Sequence, residues 1–126
     1  MQEPTRILLI EDEPSVTAFL CAALERSGYR VEPAHSGAEG IERLASGNFG
    51  GVISDIRMPG NVNGADVQSW IQRHRPDMCK RLILISGDTA NLETQELLAR
   101  CGAPFIEKPF RVQHLLSIVE KTFGKP

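Results

Sequence analysis

The stretch that decides the fold is Arg6-Ile7-Leu8-Leu9-Ile10, which is followed at once by Glu11-Asp12-Glu13-Pro14. A short, continuous apolar run is typical of a strand that is buried on both faces of a parallel sheet. The acidic residues end the run, and proline suits the first position of a helix. These residues therefore predict a buried strand, an acidic turn and a helix, in that order.

The same alternation continues to the end of the chain. Further strands are predicted at 29–34, 50–55, 82–86 and 104–107, and each precedes a segment with apolar residues at helical spacing. In the first two helices these apolar residues are Val16, Phe19, Leu20, Ala23, Leu24, Ala38, Ile41, Leu44 and Ala45. The order (βα)5 predicts an α/β fold, a flavodoxin-like three-layer sandwich in which helices cover both faces of a five-stranded parallel sheet.

Composition narrows the function classes. The chain has 126 residues, which suits one domain over residues 1–126 and leaves no room for an output domain. A net charge of −2 disfavours direct nucleic-acid binding, and no run approaches the length of a membrane helix. There is no signal-peptide pattern, and the three cysteines show no Cys-x-x-Cys spacing. We therefore expect a protein of the reducing cytoplasm.

Charged and hydroxyl side chains follow the predicted strands. The carboxyl ends of parallel strands meet at one edge of the sheet, which is where α/β proteins bind ligands. Two carboxylates about 4 Å apart repel by about 4 kcal/mol at an effective dielectric of about 20, so such a cluster needs protons or a cation. Mg²⁺ prefers oxygen ligands and shares its coordination with phosphoryl oxygens. The residues placed at this edge are Glu11, Asp12, Asp55, Ser86 and Lys108, and together they predict phosphoryl transfer to an aspartate.

Four motifs in this order resemble the receiver domain of two-component response regulators, and the chain is similar to receivers of the kind fused to hybrid sensor histidine kinases. The motifs are Glu11-Asp12, Asp55-Ile56-Arg57-Met58-Pro59, Ile85-Ser86-Gly87 and Lys108-Pro109-Phe110. The resemblance spans essentially the whole chain. It departs from the commonest pattern at Ser86, where threonine is more usual, and in a loop at 59–64 that is one residue longer.

The resemblance implies a phosphorelay function. Asp55 would accept a phosphoryl group from a histidine kinase or a histidine phosphotransfer protein, and would catalyse its own phosphorylation and dephosphorylation. Mg²⁺ (or Mn²⁺) would be held by Asp12 and Asp55, by Glu11 largely through water, and by the backbone carbonyl of Arg57.

The resemblance also assigns a switch. Ser86 would hydrogen-bond the phosphoryl group, Lys108 would pair with it, and Phe105 would be an aromatic rotamer switch. A downstream protein or a second copy would then bind the fourth helix, fifth strand and fifth helix. An aromatic residue on a strand can equally be core, so Phe105 has a structural alternative.

Rival functions differ at particular positions. A haloacid-dehalogenase-like phosphotransferase needs a second acid two residues after its nucleophile, where this chain has Arg57. A flavin carrier needs a first loop that tolerates phosphate, which Glu11-Asp12-Glu13 would repel. An unphosphorylated receiver-like scaffold would be expected to lack Asp55 or Lys108.

Several residues receive a structural interpretation. Glu13 favours the start of the first helix through the helix dipole. Trp70 is a partly buried helix residue, and His35, His74 and His114 are surface residues. The Lys108-Pro109 bond is expected to be cis, because the chain must turn there while directing the lysine back towards Asp55.

Overall fold

Five strands and five α-helices alternate along the part of the chain that the structure describes. The computed structural model describes residues 5–56, 62–87 and 91–126. The strands are β1 (Arg6–Ile10), β2 (Arg30–Ala34), β3 (Gly51–Asp55), β4 (Leu82–Ser86) and β5 (Phe105–Glu107). The helices are α1 (Pro14–Arg26), α2 (Gly37–Ser46), α3 (Gly64–His74), α4 (Leu92–Cys101) and α5 (Val112–Phe123). Among the described residues, no helix combines the length and apolar character needed to cross a bilayer.

All five strands form one parallel sheet in the order β2-β1-β3-β4-β5. The register pairs Ile10 with Ser54, Asp55 with Ile85, and Ser86 with Glu107. The ends of β1, β3, β4 and β5 therefore meet at one edge. The predicted (βα)5 architecture is confirmed, and this edge is where the charged residues lie.

Alternate residues of the strands supply two separate cores. One face packs against α2, α3 and α4, and its buried residues include Leu8, Ile10, Val52, Leu84, Leu44, Val67, Ile71 and Leu97. The other face packs against α1 and α5, and its buried residues include Ile7, Leu9, Ile53, Ile83, Leu20, Leu24, Leu115 and Val119. Burial on both faces explains why the strands are continuous apolar runs.

The predicted helix faces were wrong at Phe19, Ala38 and Ala45, all of which are exposed. Phe19 is 47% exposed, and Thr17 is buried instead, with its hydroxyl donating to the carbonyl oxygen of Glu13 at 3.1 Å. Ala38 is exposed, whereas Gly40 is buried. A Cβ at Gly40 would lie 2.4 Å from Cδ1 of Ile10, so α2 approaches β1 through a glycine rather than through an apolar side chain.

Element ends differ from the predicted ones by about one residue, and a short 3-10 helix was not predicted. It spans Pro76–Arg81 and leads into β4. Its buried Met78 joins the core beneath α3. Two adjacent apolar residues, Met78 and Cys79, show no periodicity in a six-residue segment, so the sequence does not predict this element.

Candidate functional site

The first carboxylates of the site follow the central strands. Glu11 comes directly after β1, donates its backbone N–H to the carbonyl oxygen of Ala34 at 3.0 Å, and is fully buried. Asp55 ends β3 and is also buried. With Asp12 they offer carboxylate oxygens that lie within 4.8 Å of one another. The structure thus brings together the acidic cluster that the sequence predicts.

Lys108 reaches this cluster from the edge strand β5. Its backbone N–H donates to the carbonyl oxygen of Ser86 at 2.8 Å, which continues the pairing of β5 with β4. Its ammonium nitrogen lies 2.8 Å from Oδ2 of Asp55 and 3.2 Å from Oε2 of Glu11. The Lys108-Pro109 peptide bond is cis, as predicted. Lys108 is therefore in place to neutralise negative charge at Asp55.

The cluster perturbs the acid–base chemistry of two of its members. Burial raises the pKa of Glu11 to about 7, and the charge of Asp55 adds to this, while the N–H of Glu13 and the Lys108 ammonium act in the opposite direction. Burial disfavours the charged form of Lys108, but the hydrogen bonds and charges of Asp55 and Glu11 raise its pKa above the ordinary value. One ammonium does not balance two buried carboxylates, so a proton or a further cation is needed.

The donor set fits a divalent cation. Glu11, Asp12 and Asp55 supply only oxygen ligands, which hard cations such as Mg²⁺ prefer. Their negative charge exceeds that of the Lys108 ammonium, and a bound cation would offset the excess. Arg57, for which the sequence predicts a backbone ligand, lies outside the described residues.

Ser86 and Gly87 complete the edge. Ser86 ends β4 and is 1% exposed. A Cβ on Gly87 would lie 3.6 Å from Cβ of Lys108, an ordinary van der Waals distance. The space between the ends of β4 and β5 is therefore not crowded at Gly87. The hydroxyl residue predicted at this strand end is therefore beside both Lys108 and Asp55 in the sheet order.

Gly64 fixes the start of α3 against the phosphoacceptor candidate. Its backbone N–H donates to the carbonyl oxygen of Ile56 at 2.8 Å. A Cβ there would lie 2.7 Å from the carbonyl oxygen of Asp55 and 2.6 Å from Cα of Ile56. Asn63 precedes it as a capping-box residue, with its side chain accepting from the N–H of Asp66 at 3.1 Å. The close packing holds the end of β3 in position.

Two features of the site were missed by the sequence reasoning. The first is a contact of Glu13, whose Oε1 lies 3.8 Å from the Lys108 ammonium. The position of Glu13 two residues after Glu11 is the sequence feature that could have predicted this contact. A groove of about 390 Å³ also opens beside Lys108. Apolar side chains of α1 and of the segment after β5 line it, together with Ser15, and they are Val16, Phe19, Pro109 and Phe110.

The remaining candidate residues lie away from the carboxylates. Phe105 begins β5 and is 36% exposed. Trp70 is partly buried, as predicted, and its ring centroid lies 4.9 Å from that of His74. All three histidines are exposed, which confirms their predicted surface positions.

Sequence and structure comparisons agree on one family. The model of the response regulator receiver domain family matches residues 7–120. The response regulator receiver protein CpdR of Brucella abortus is 33% identical over 116 residues, covering 92% of this chain and 94% of CpdR. The sensor kinase CckA of the same organism is 31% identical over 121 residues, but the match spans only 12% of CckA.

Solved structures give the same result. A CheY-like receiver domain protein from Methanospirillum hungatei superposes with a TM-score of 0.86 at 27% identity, covering 95% of this chain and 94% of that one. The response regulator TrrA of Thermotoga maritima, solved in complex with Mg²⁺ and beryllium fluoride, superposes with a TM-score of 0.81 at 31% identity, covering 94% and 98%. This chain belongs to the response regulator receiver domain family of two-component signalling.

Proposed function

We propose that Asp55 accepts a phosphoryl group from the phosphohistidine of a histidine kinase or a histidine phosphotransfer protein, in a reaction that requires Mg²⁺ (or Mn²⁺). The observation that carries this proposal is the 2.8 Å contact between the Lys108 ammonium and Oδ2 of Asp55, within a cluster of buried carboxylates. An aspartate used only as a turn or cap residue would not need a partly buried lysine and two further acids beside it.

The chemistry follows from the groups present. A carboxylate oxygen of Asp55 attacks phosphorus, an O–P bond forms, and the P–N bond to the donor imidazole breaks, leaving its electron pair on nitrogen. The Lys108 ammonium balances charge on the phosphoryl oxygens, and the Ser86 hydroxyl donates a hydrogen bond to one of them. Water attacking the same phosphorus later returns Asp55 to the carboxylate, so the domain limits its own signal.

The metal has a defined set of ligands in this proposal. Asp12 and Asp55 would bind it by side chain, Glu11 would act largely through water, and Arg57 would offer its backbone carbonyl. When bound, Mg²⁺ supplies positive charge that offsets the acidic cluster and the phosphoryl oxygens. We therefore expect donors to react poorly when divalent cations are removed.

We propose two kinds of partner. The upstream partner is the protein that carries the donor phosphohistidine. The downstream partner, which is another protein or a second copy of this chain, binds the surface formed by α4, β5 and α5. The similarity to CckA, which is named a sensor kinase, supports the first. Phe105 on β5 and Leu92 on α4 are exposed apolar residues on the second surface. We propose that residues 1–126 act as a single receiver domain in the cytoplasm, in keeping with the cysteine usage of the sequence.

Intact mass after incubation with acetyl phosphate tests the reaction. We expect the wild-type chain to gain one phosphoryl mass with Mg²⁺ and none in EDTA, and Asp55→Asn to gain none. Asp77→Asn, which changes an exposed aspartate, is the matched control and should label like wild type. Labelling of Asp55→Asn, or equal labelling in EDTA, would refute the assignment, and an unlabelled wild type would favour a scaffold role.

A further inference from the structure

Glutamate is an unusual residue type at the position that precedes a helix, which Glu13 occupies before α1. It is the N-cap of α1, where serine, threonine, aspartate and asparagine are preferred. Among the described residues, its carboxylate makes no capping hydrogen bond. Instead Oε1 lies 3.8 Å from the Lys108 ammonium. The side chain of Glu13 therefore contacts Lys108 and does not cap the helix by a hydrogen bond.

The three carboxylates near Lys108 differ in burial. Those of Asp55 and Glu11 are almost entirely buried and lie 2.8 and 3.2 Å from the ammonium. The Glu13 side chain is 58% exposed and approaches from the solvent side. Lys108 itself is 19% exposed. Glu13 is thus the most exposed of the three carboxylates that lie within 4 Å of the Lys108 ammonium.

The backbone holds Glu13 in this position. The Thr17 hydroxyl donates to the carbonyl oxygen of Glu13, and the N–H of Glu13 donates to Oε1 of Glu11 at 3.2 Å. The N–H of Thr17 also donates to the carbonyl oxygen of Glu13 at 3.0 Å. These contacts tie the acidic turn to the first turn of α1, so they fix the backbone position from which the Glu13 side chain reaches Lys108.

We propose that Glu13 is a specificity-determining residue that disfavours small dianionic phosphodonors at Asp55. This inference rests on the proposed function. A donor must place negative oxygens next to Lys108, where Glu13 both competes for the ammonium and repels the donor. The repulsion grows with the charge of the donor and is screened by salt. A phosphohistidine carried on a protein has contacts across the surrounding surface that offset this repulsion, whereas a small anion has none.

The test compares two small donors at saturating Mg²⁺. Acetyl phosphate reacts as a dianion and phosphoramidate as a monoanion. At low salt, we expect Glu13→Gln to raise the rate of Asp55 labelling by acetyl phosphate about threefold to tenfold, with a smaller rise for phosphoramidate. At about 0.5 M salt the advantage should fall below about twofold. Glu25→Gln, which removes an exposed charge at the far end of α1, should stay close to wild type.

A second measurement needs no phosphoryl transfer. The Mg²⁺ affinity of the unphosphorylated chain, measured by calorimetry, should weaken about twofold to fivefold in Glu13→Gln, because a nearby negative charge is lost. It should be unchanged in Glu25→Gln. A purely structural role of Glu13 would not produce a rate change that depends on donor charge and on salt.

The outcomes separate this inference from the proposed function. If wild type is labelled by both donors and Glu13→Gln changes neither the donor preference nor the Mg²⁺ affinity, the role of Glu13 is wrong and the function of Asp55 stands. An equal rate change for both donors at every salt concentration also overturns the role of Glu13. A wild-type chain that neither donor labels overturns the proposed function itself.

Discussion

The ammonium nitrogen of Lys108 lies 2.8 Å from Oδ2 of Asp55, although the two residues are 53 positions apart in the sequence. Parallel pairing of β3 with β4 and of β4 with β5 brings their strand ends to the same edge. Because both side chains are mostly withdrawn from water, their attraction is stronger than that of a surface pair. The Lys108 ammonium that stabilises the unphosphorylated Asp55 carboxylate would also neutralise the oxygens of a phosphoryl group on Asp55.

Removing this lysine should destabilise the fold. Lys108→Met leaves the buried carboxylates of Asp55 and Glu11 without their cation, and we expect the free energy of unfolding to fall by about 2–4 kcal/mol at pH 8 in EDTA. Urea unfolding followed by the fluorescence of Trp70 measures this. Lys121→Met changes an exposed lysine and should cost less than about 0.5 kcal/mol. Equal losses in both variants would mean that Lys108 does not stabilise the cluster.

Filling the space at Gly64 should disturb the end of β3. The Cβ of Gly64→Ala would lie 2.6–2.7 Å from backbone atoms of Ile56 and Asp55, which cannot move as a side chain can. We expect a loss of about 1–3 kcal/mol in unfolding free energy, together with slower phosphorylation of Asp55. Gly87→Ala is the matched control beside the same site, because its Cβ would meet Lys108 at an ordinary 3.6 Å. Destabilisation that is no greater than in the control would contradict the packing argument.

The order of strands and helices and the members of the acidic cluster could be predicted, because both depend on patterns within short segments. The run 7–10 is apolar because that part of β1 is buried on both faces, and Asp55 and Lys108 meet because strand ends share an edge. The exposure of Phe19 could not be predicted. It has helical spacing with Val16 and Ala23, but it lies at the rim of a groove beside Phe110, with the two ring centroids 6.2 Å apart. Contacts between distant loops leave no periodicity in the sequence.

Alkaline pH should weaken the fold partly through Tyr29. Burial, together with the charge of Glu120, raises the pKa of the Tyr29 hydroxyl, which donates to the carbonyl oxygen of Gly124 at 2.7 Å. The folded chain therefore keeps this proton at pH values where the unfolded chain releases it. The stabilisation is complete below about pH 10, the unfolded pKa, and is lost as pH rises towards the folded pKa.

Tyr29→Phe tests this by removing both the hydrogen bond and the titration. We expect it to lower the unfolding free energy by about 0.5–1.5 kcal/mol at pH 8 and to flatten the decline between about pH 10 and 11. Urea unfolding at a series of pH values compares the two chains. The change also leaves the Gly124 carbonyl free to bind water, which limits the loss. Parallel pH profiles for wild type and Tyr29→Phe would show that the hydroxyl does not titrate differently on folding.

Phosphorylation of Asp55 should change the surface formed by α4, β5 and α5. A phosphoryl group adds about −1.5 to −2 charges beside Ser86 and Lys108. Ser86 lies at the end of β4 and pairs with Glu107 of β5, so its movement towards the phosphoryl group acts directly on the strand that carries Phe105. Phe105 is 36% exposed, so a rotamer change that buries its ring would alter this surface. Converting a 1:99 population to 99:1 needs about 5.5 kcal/mol of differential interaction, which charged hydrogen bonds and a bound cation together can supply.

Amide chemical shifts with and without beryllofluoride, a mimic of the phosphoryl group, provide the measurement. We expect chemical-shift changes at residues 92–101 and at Phe105 in addition to those at the site. We expect little change in α2, which packs on β1 and β2, at the opposite end of the sheet from β5. Ser86→Ala keeps Lys108 and the acidic cluster but lacks the hydroxyl, so the mimic should still bind while the shifts in α4 shrink. A switch requires a conformational change that extends beyond the residues in contact with the mimic. Chemical-shift changes confined to the site would therefore refute the proposed output surface and identify Phe105 as a packing residue.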